Sequence, residues 1–158
     1  MNFLLFLKSD IARTSQVLRV SWVRIVLSER FWAYLLIRLV LLRSVYLLPL
    51  SGIASVVLRI LFGIVLARQA KIGRGLVLPH PQNIILGCYE IGDNCTVMHN
   101  VTLGAKFVDP GFSSSSRPII SQNCFIGVGS VILGPGTVEE YTVVKPNEVI
   151  VLGGIVNG

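Results

Sequence analysis

Apolar positions in the second half of the chain recur at every sixth residue. Branched aliphatics stand at Ile120, Ile126, Ile132, Val138, Val144 and Ile150. The same interval links Ile85, Ile91, Val97 and Leu103, and it extends back to Ile72 and Leu78. Small, polar or turn-forming residues lie between, as in Ile91-Gly92-Asp93-Asn94-Cys95-Thr96 and Ile126-Gly127-Val128-Gly129-Ser130-Val131. A helix repeats every 3.6 residues and a half-buried strand every two, so neither accounts for a period of six. A parallel β-helix does: each hexad makes one flat face, three make a coil, and the stacked leaders bury one continuous column. A mainly β domain is therefore predicted over residues 71–158, with every leader, Ile85 included, pointing inward. The beat breaks once, at Gly104 to Arg117, which predicts a Gly/Ser/Pro loop (104–117) inserted into one coil.

Residues 1–70 carry no such beat and predict an N-terminal helical segment. One helix is expected to begin at Ser28 and run to about Arg43. Pro49 and Gly52 are expected to punctuate the chain, and a second helix to run from Ile53 to Ala67. The longest charge-free run in this region, Ser44 to Leu58, holds fifteen residues with a proline and a glycine among them. A membrane span needs about 20 predominantly apolar residues. Arg38, Arg43 and Arg59 interrupt the wider stretch, and each is costly at bilayer depth. Two readings remain: a helical cap packed on the β-helix, or an interfacial segment with arginines on headgroups and Phe, Trp and Leu beneath them.

Charge divides the same way. Residues 1–74 hold eleven Lys and Arg against Asp10 and Glu29, net +9, whereas residues 75–158 hold three basic residues against six acids, net −3. The basic residues are interleaved with aliphatics and carry no recognised motif, so nucleic-acid binding is not expected. The first eight residues lack both a basic region before their apolar run and a small-residue cleavage site after it, so a signal peptide is not expected. Cys88, Cys95 and Cys124 are odd in number and lack metal spacing. Neither a disulfide framework nor a zinc cluster is predicted, and the usage suits a cytoplasmic protein, peripheral at the inner membrane face if the interfacial reading holds.

The chain has two histidines. His80 follows the leader Leu78 by two residues and His99 follows Val97 by two. The leaders are nineteen residues apart, one eighteen-residue coil plus one inserted residue near Pro81-Gln82-Asn83. The imidazoles should thus occupy equivalent positions on successive coils, about 4.8 Å apart along the stack. Two histidines are too few for a three-histidine metal site, and no metal is expected.

The stretch Gly75-Leu76-Val77-Leu78-Pro79-His80-Pro81-Gln82-Asn83-Ile84-Ile85-Leu86-Gly87 resembles the active-site coil of hexapeptide acyltransferases. The resemblance is to serine acetyltransferases and to sugar O-acetyltransferases of exopolysaccharide and capsule clusters. It continues through Ile91 to Thr96 and Asn100 to Gly104, and resumes at Arg117-Pro118-Ile119-Ile120 and from Ile126 to Gly134. It implies a left-handed β-helix, a homotrimer, and an acetyl-CoA-dependent O-acetyltransferase with His80 as general base. A hydroxyl is a poor nucleophile until deprotonated, and imidazole is suited to that proton transfer, worth about 10²–10⁴ in rate. His99 stands where those enzymes usually carry glutamine; its place beside His80 puts it in the catalytic set as a residue that orients or tunes the base. By the same resemblance Gly127, Gly129 and Gly134 admit the pantetheine arm of coenzyme A, Lys145 meets its phosphate, and Asn100 and Arg117 contact the acceptor. The inserted loop helps wall the site between subunits.

The departures bear on the acceptor. Serine acetyltransferases carry an aspartate where Pro79 stands and a second histidine where Arg117 stands. An arginine can bind an anion or polarise a carbonyl oxygen but cannot act as that histidine does. The expected acceptor is therefore a sugar hydroxyl, with serine the alternative, and a non-catalytic trimeric membrane scaffold is a further one.

Overall fold

The computed structural model describes residues 3–42, 45–108 and 111–153. From residue 65 onward the chain forms a left-handed parallel β-helix of three sheets. Numbered in chain order, the first sheet stacks β1 (Val65–Leu66), β3 (Ile85–Leu86), β6 (Thr102–Gly104), β9 (Val131–Leu133) and β12 (Val149–Val151). The second stacks β2 (Lys71–Ile72), β4 (Glu90–Ile91), β7 (Pro118–Ile120) and β10 (Gly136–Val138). The third stacks β5 (Thr96–Val97), β8 (Phe125–Ile126) and β11 (Val143–Val144), with Val77 bridging Thr96 at its open end. The first strand thus precedes residue 71, where the β domain was expected to begin.

The pairs Ile120 with Val138, Ile126 with Val144 and Ile132 with Ile150 show the eighteen-residue coil directly. Ile72, Leu78, Ile91, Val97, Leu103, Ile120, Ile126, Ile132, Val138 and Val144 fill the core as the period predicts. Ile85 does not. It is 40% exposed, and Leu86 takes the inward position, pairing with Leu103. The corner after Leu78 is lengthened by two residues and the segment from Leu86 to Ile91 is shortened by one. The nineteen-residue interval between the histidines is therefore two adjustments rather than one insertion.

Four helices cap the open end of the first coil: α1 (Phe3–Leu18), α2 (Trp22–Val26), α3 (Glu29–Val40) and α4 (Leu48–Phe62). Ser28 is the N-cap of α3, so the helix proper starts at Glu29; the expected terminus at Arg43 lies outside the described residues. The second expected helix is displaced. Pro49 lies in the first turn of α4, where a missing N–H costs nothing and a fixed φ helps, and Gly52 lies within the helix rather than before it. The helix ends at Gly63, whose left-handed φ of 64° closes it, and residues 65–66 are already strand.

One buried ion pair ties this cap to the coils. The Arg38 Nε and Nη2 donate to both carboxylate oxygens of Asp10 at 2.8 Å. The same guanidinium donates to the carbonyls of Ile72 at 2.9 Å and Gly73 at 2.6 Å, while Asp10 accepts the Leu76 amide at 2.9 Å. Burial pushes the Asp10 carboxyl above its ordinary range, and Arg38 with the Leu76 and Gly75 amides pulls it back. Arg38, one of the arginines that interrupt the apolar stretch, is fully buried beneath the first coil.

Three free cysteines lie inside the structure. Cys95 Sγ donates to the Ser121 carbonyl and Cys124 Sγ to that of Glu139, each at 3.1 Å and each reaching the next coil. Burial pushes the thiols up, to about 12 for Cys88 and about 11 for Cys95.

Arg38→Met should lower unfolding stability by about 3–5 kcal/mol, because it strands a buried carboxylate; urea unfolding followed by circular dichroism measures it. Asp10→Leu/Arg38→Met should not recover the loss, because the Ile72 and Gly73 carbonyls and the Leu76 amide remain unpaired. Raised pKa values keep the thiols protonated at pH 8, so native protein should resist iodoacetamide at all three cysteines and react at all three in urea. Mass spectrometry counts the adducts.

Candidate active site

The edge joining the third sheet to the first gathers most of the residues singled out by sequence. On successive coils it carries Pro79-His80, Met98-His99-Asn100, Gly127-Val128-Gly129 and Lys145-Pro146-Asn147. The stacking is continuous through backbone bonds: Asn100 N to Gln82 O at 3.2 Å, Gly129 N to His99 O at 3.1 Å, and Asn147 N to Val128 O at 2.8 Å. His80 and His99 are neighbours, with ring centroids 5.6 Å apart and planes at 88°. His80 is exposed and His99 half-buried. The Nδ1 of His99 is buried and finds no hydrogen-bond partner among the described residues. An orphaned buried nitrogen is uncommon and marks a place where a ligand or water is expected. Neither imidazole pairs with a carboxylate among the described residues.

The segment bearing His80 is fixed from below by α3. Arg30 Nε donates to the Pro79 carbonyl at 2.9 Å, and the Tyr34 hydroxyl accepts the Leu78 amide at 2.9 Å while meeting Thr14 Oγ1 at 2.7 Å. Burial pushes the Tyr34 phenol up to about 12, so it stays protonated. Sequence reasoning missed both residues. A signal was present: Arg30, Tyr34 and Arg38 are spaced by four and share one helical stripe.

Arg117 and Gly134 lie elsewhere, at the edge joining the first sheet to the second. Arg117 Nη1 donates to Gly87 O at 2.6 Å, and its guanidinium covers the Phe112 ring at 4.8 Å. Phe112 in turn stacks on Tyr89 at 5.8 Å, so the inserted loop folds back on its own coil. Within one chain, therefore, Arg117 is separated from His80 by the width of the first sheet. Asn100 sits at the histidine edge with a left-handed φ of 58°.

The glycines have a reason internal to the fold. A Cβ on Gly127 would lie 2.7 Å from the backbone of Val144, Lys145 and Pro146 on the next coil. Gly134 has φ +89° and would press 2.5 Å from the Leu152 carbonyl. Gly129, with φ +69°, would meet Asn147 Oδ1. Lys145 is exposed, and its amide donates to Glu148 Oε2 at 2.8 Å. No group of three His, Cys, Asp or Glu side chains able to hold a metal occurs among the described residues.

No family model matches the chain. Serine acetyltransferase of Helicobacter pylori is 33% identical over 93 residues, 58% of this chain and 53% of that protein. The crystal structure of serine acetyltransferase from Brucella abortus superposes with TM-score 0.75 at 25% identity, covering 91% of this chain and 59% of the other. The chain is similar to serine acetyltransferases in sequence and in fold. A serine acetyltransferase solved in complex with CoA superposes with TM-score 0.77 at 23% identity, covering 93% of this chain and 61% of that one. The chain thus spans about half to three-fifths of the length of these serine acetyltransferases, and in both structural superpositions the helical cap is matched along with the coils.

Gly127→Ala should lower the thermal midpoint, since overpacking against fixed backbone costs about 1–3 kcal/mol. Gly104→Ala, with open space around it, should leave the midpoint unchanged. Differential scanning fluorimetry separates the two; an unshifted midpoint for Gly127→Ala would instead reserve that glycine for a ligand.

Proposed function

We propose that the protein transfers an acetyl group from acetyl-CoA to a hydroxyl, with His80 as general base. The observation that carries this is an exposed His80 packed edge-on against His99, in the coil whose sequence resembles the acyltransferase active site. His80 takes the hydroxyl proton as the oxygen attacks the thioester carbonyl. The tetrahedral intermediate collapses, the C–S bond breaks, and the imidazolium returns the proton to the departing thiolate. His99 presents a buried edge beneath that imidazole and fixes its orientation. Coenzyme A lies along the histidine edge, where Gly129 and Lys145 follow on the next coils. The CoA complex of a structurally similar serine acetyltransferase supports that cosubstrate.

Serine is the acceptor best supported. The similar proteins reported above are serine acetyltransferases, which outweighs the sugar hydroxyl expected from Pro79 and Arg117. The sugar reading keeps one support, since neither residue supplies the acid–base group that stands there in the serine enzymes. A homotrimer would resolve the separation of Arg117 from His80: the loop edge of one subunit would meet the histidine edge of the next, and Arg117 would approach the acceptor from across the interface. Three buried free thiols suit a reducing cytoplasm.

His80→Ala should reduce coenzyme A release by about 10²–10⁴ while leaving the circular dichroism spectrum intact. Turnover with serine assigns the acceptor; turnover only with a glycoside assigns a sugar. A fully active His80→Ala enzyme would remove His80 from catalysis.

A further inference from the structure

The helical cap is built inside out. Its polar side chains face the coils: Asp10, Thr14, Arg30, Tyr34 and Arg38 all bond beneath or beside the first coil, as described above. Its outward surface carries large apolar side chains. On α4 the buried stripe is Ser51, Ala54, Leu58 and Phe62, and the opposite face carries Ile53, Val56 and Ile60, exposed to 63%, 58% and 75%. Leu50 and Leu61 widen that face and are also exposed. Trp32 points outward from α3, and Leu27, between α2 and α3, is 81% exposed. Large exposed apolar surfaces on helices mark interaction sites.

Charge narrows the partner. Among the described residues, the exposed charged side chains of the helical segment and its first turn into the coils are Lys8, Arg19, Arg24, Arg59 and Arg68, against the single exposed acid Glu29, which lies 3.6 Å from Arg30. Arg59 flanks the apolar stripe on α4 itself. A second copy seated symmetrically on this face would bring like charges together, because an isologous contact repeats the same surface on both sides. An anionic lipid surface accepts both the apolar stripe and the basic rim. Crossing is not available: α4 has 15 residues, about 22 Å at 1.5 Å per residue, and no described helix is long and apolar enough to span a membrane.

We infer that the outward face of α4 docks in the plane of an anionic membrane. The inference does not depend on the acceptor or on the acetyl-transfer reading. Full-length protein should co-sediment with vesicles of phosphatidylcholine and phosphatidylglycerol. Binding should be about tenfold weaker to phosphatidylcholine alone, and weaker again in high salt. Ile53→Asp/Ile60→Asp should reduce binding more than tenfold while preserving the circular dichroism spectrum, since both sites are exposed. Arg59→Gln/Arg68→Gln should erase the preference for anionic vesicles while retaining residual apolar binding. Failure to bind anionic vesicles overturns the inference, as does binding unaffected by the Ile53→Asp/Ile60→Asp change. A shift of oligomeric state in that variant, read by light scattering, assigns the face to a second copy and also overturns it. Coenzyme A release assayed without vesicles reports separately on the acetyl-transfer reading.

Discussion

A β-helix coil ends in a row of backbone groups with no further coil to pair them, and here side chains close that row. Arg38 supplies donors to the Ile72 and Gly73 carbonyls, Arg30 to that of Pro79, and Asp10 and Tyr34 accept the Leu76 and Leu78 amides. Ser9 accepts the Gly75 amide at 3.1 Å. An unpaired buried backbone group costs about as much as a lost hydrogen bond, so an open coil covered by a purely apolar helix would be penalised at each of these positions. The Asp10–Arg38 pair is the centre of this closure. Its charges are matched to each other, and the spare donors and acceptors are spent on the coil. A buried ion pair alone is weak evidence of stability; one that also satisfies three backbone groups has a structural reason to be ionic.

The same closure reaches the chemistry. Arg30, Tyr34 and Arg38 form one stripe of α3, and the first two grip the residues just before His80. A base that must meet a hydroxyl within hydrogen-bond distance gains from a rigid support, because small displacements cost rate steeply. The corner bearing His80 needs that support more than the later corners do. It is two residues longer than its successors, and it lies on the first coil, with a neighbouring coil on one side only. The helical segment therefore serves as the missing coil beneath the corner that bears His80.

Much of this was legible in the sequence, and the limits have physical causes. The six-residue period fixed the coils and the adjacency of His80 and His99, because inward leaders tolerate little but branched aliphatics. It failed at Ile85, where Ile84, Ile85 and Leu86 offer three consecutive candidates and the lengthened corner decides among them. The apolar content of the helical segment masks the inward direction of its polar stripe. Spacing by four identified one face of α3, but only the coil's orphaned backbone groups say which way that face points. Pro49 is ambiguous for a related reason: proline ends a helix from within but opens one at its first turn, and composition alone does not distinguish these.

Gly127, Gly129 and Gly134 show how one residue type can suggest a ligand groove and yet be required by the fold. At Gly127 and Gly134 the atoms that exclude a Cβ are backbone of the adjoining coil, close enough that stacking alone demands glycine. Gly129 is held by its left-handed φ as well, in the same turn position that Asn100 and Asn147 occupy on neighbouring coils. Glycine at these corners is thus what a close-packed coil needs whether or not a ligand lies beside it. The histidine edge is different in kind. Nothing in the coil stacking calls for an imidazole at residue 80 or a buried unpaired nitrogen at residue 99, and it is this local departure from what the fold requires that points to function.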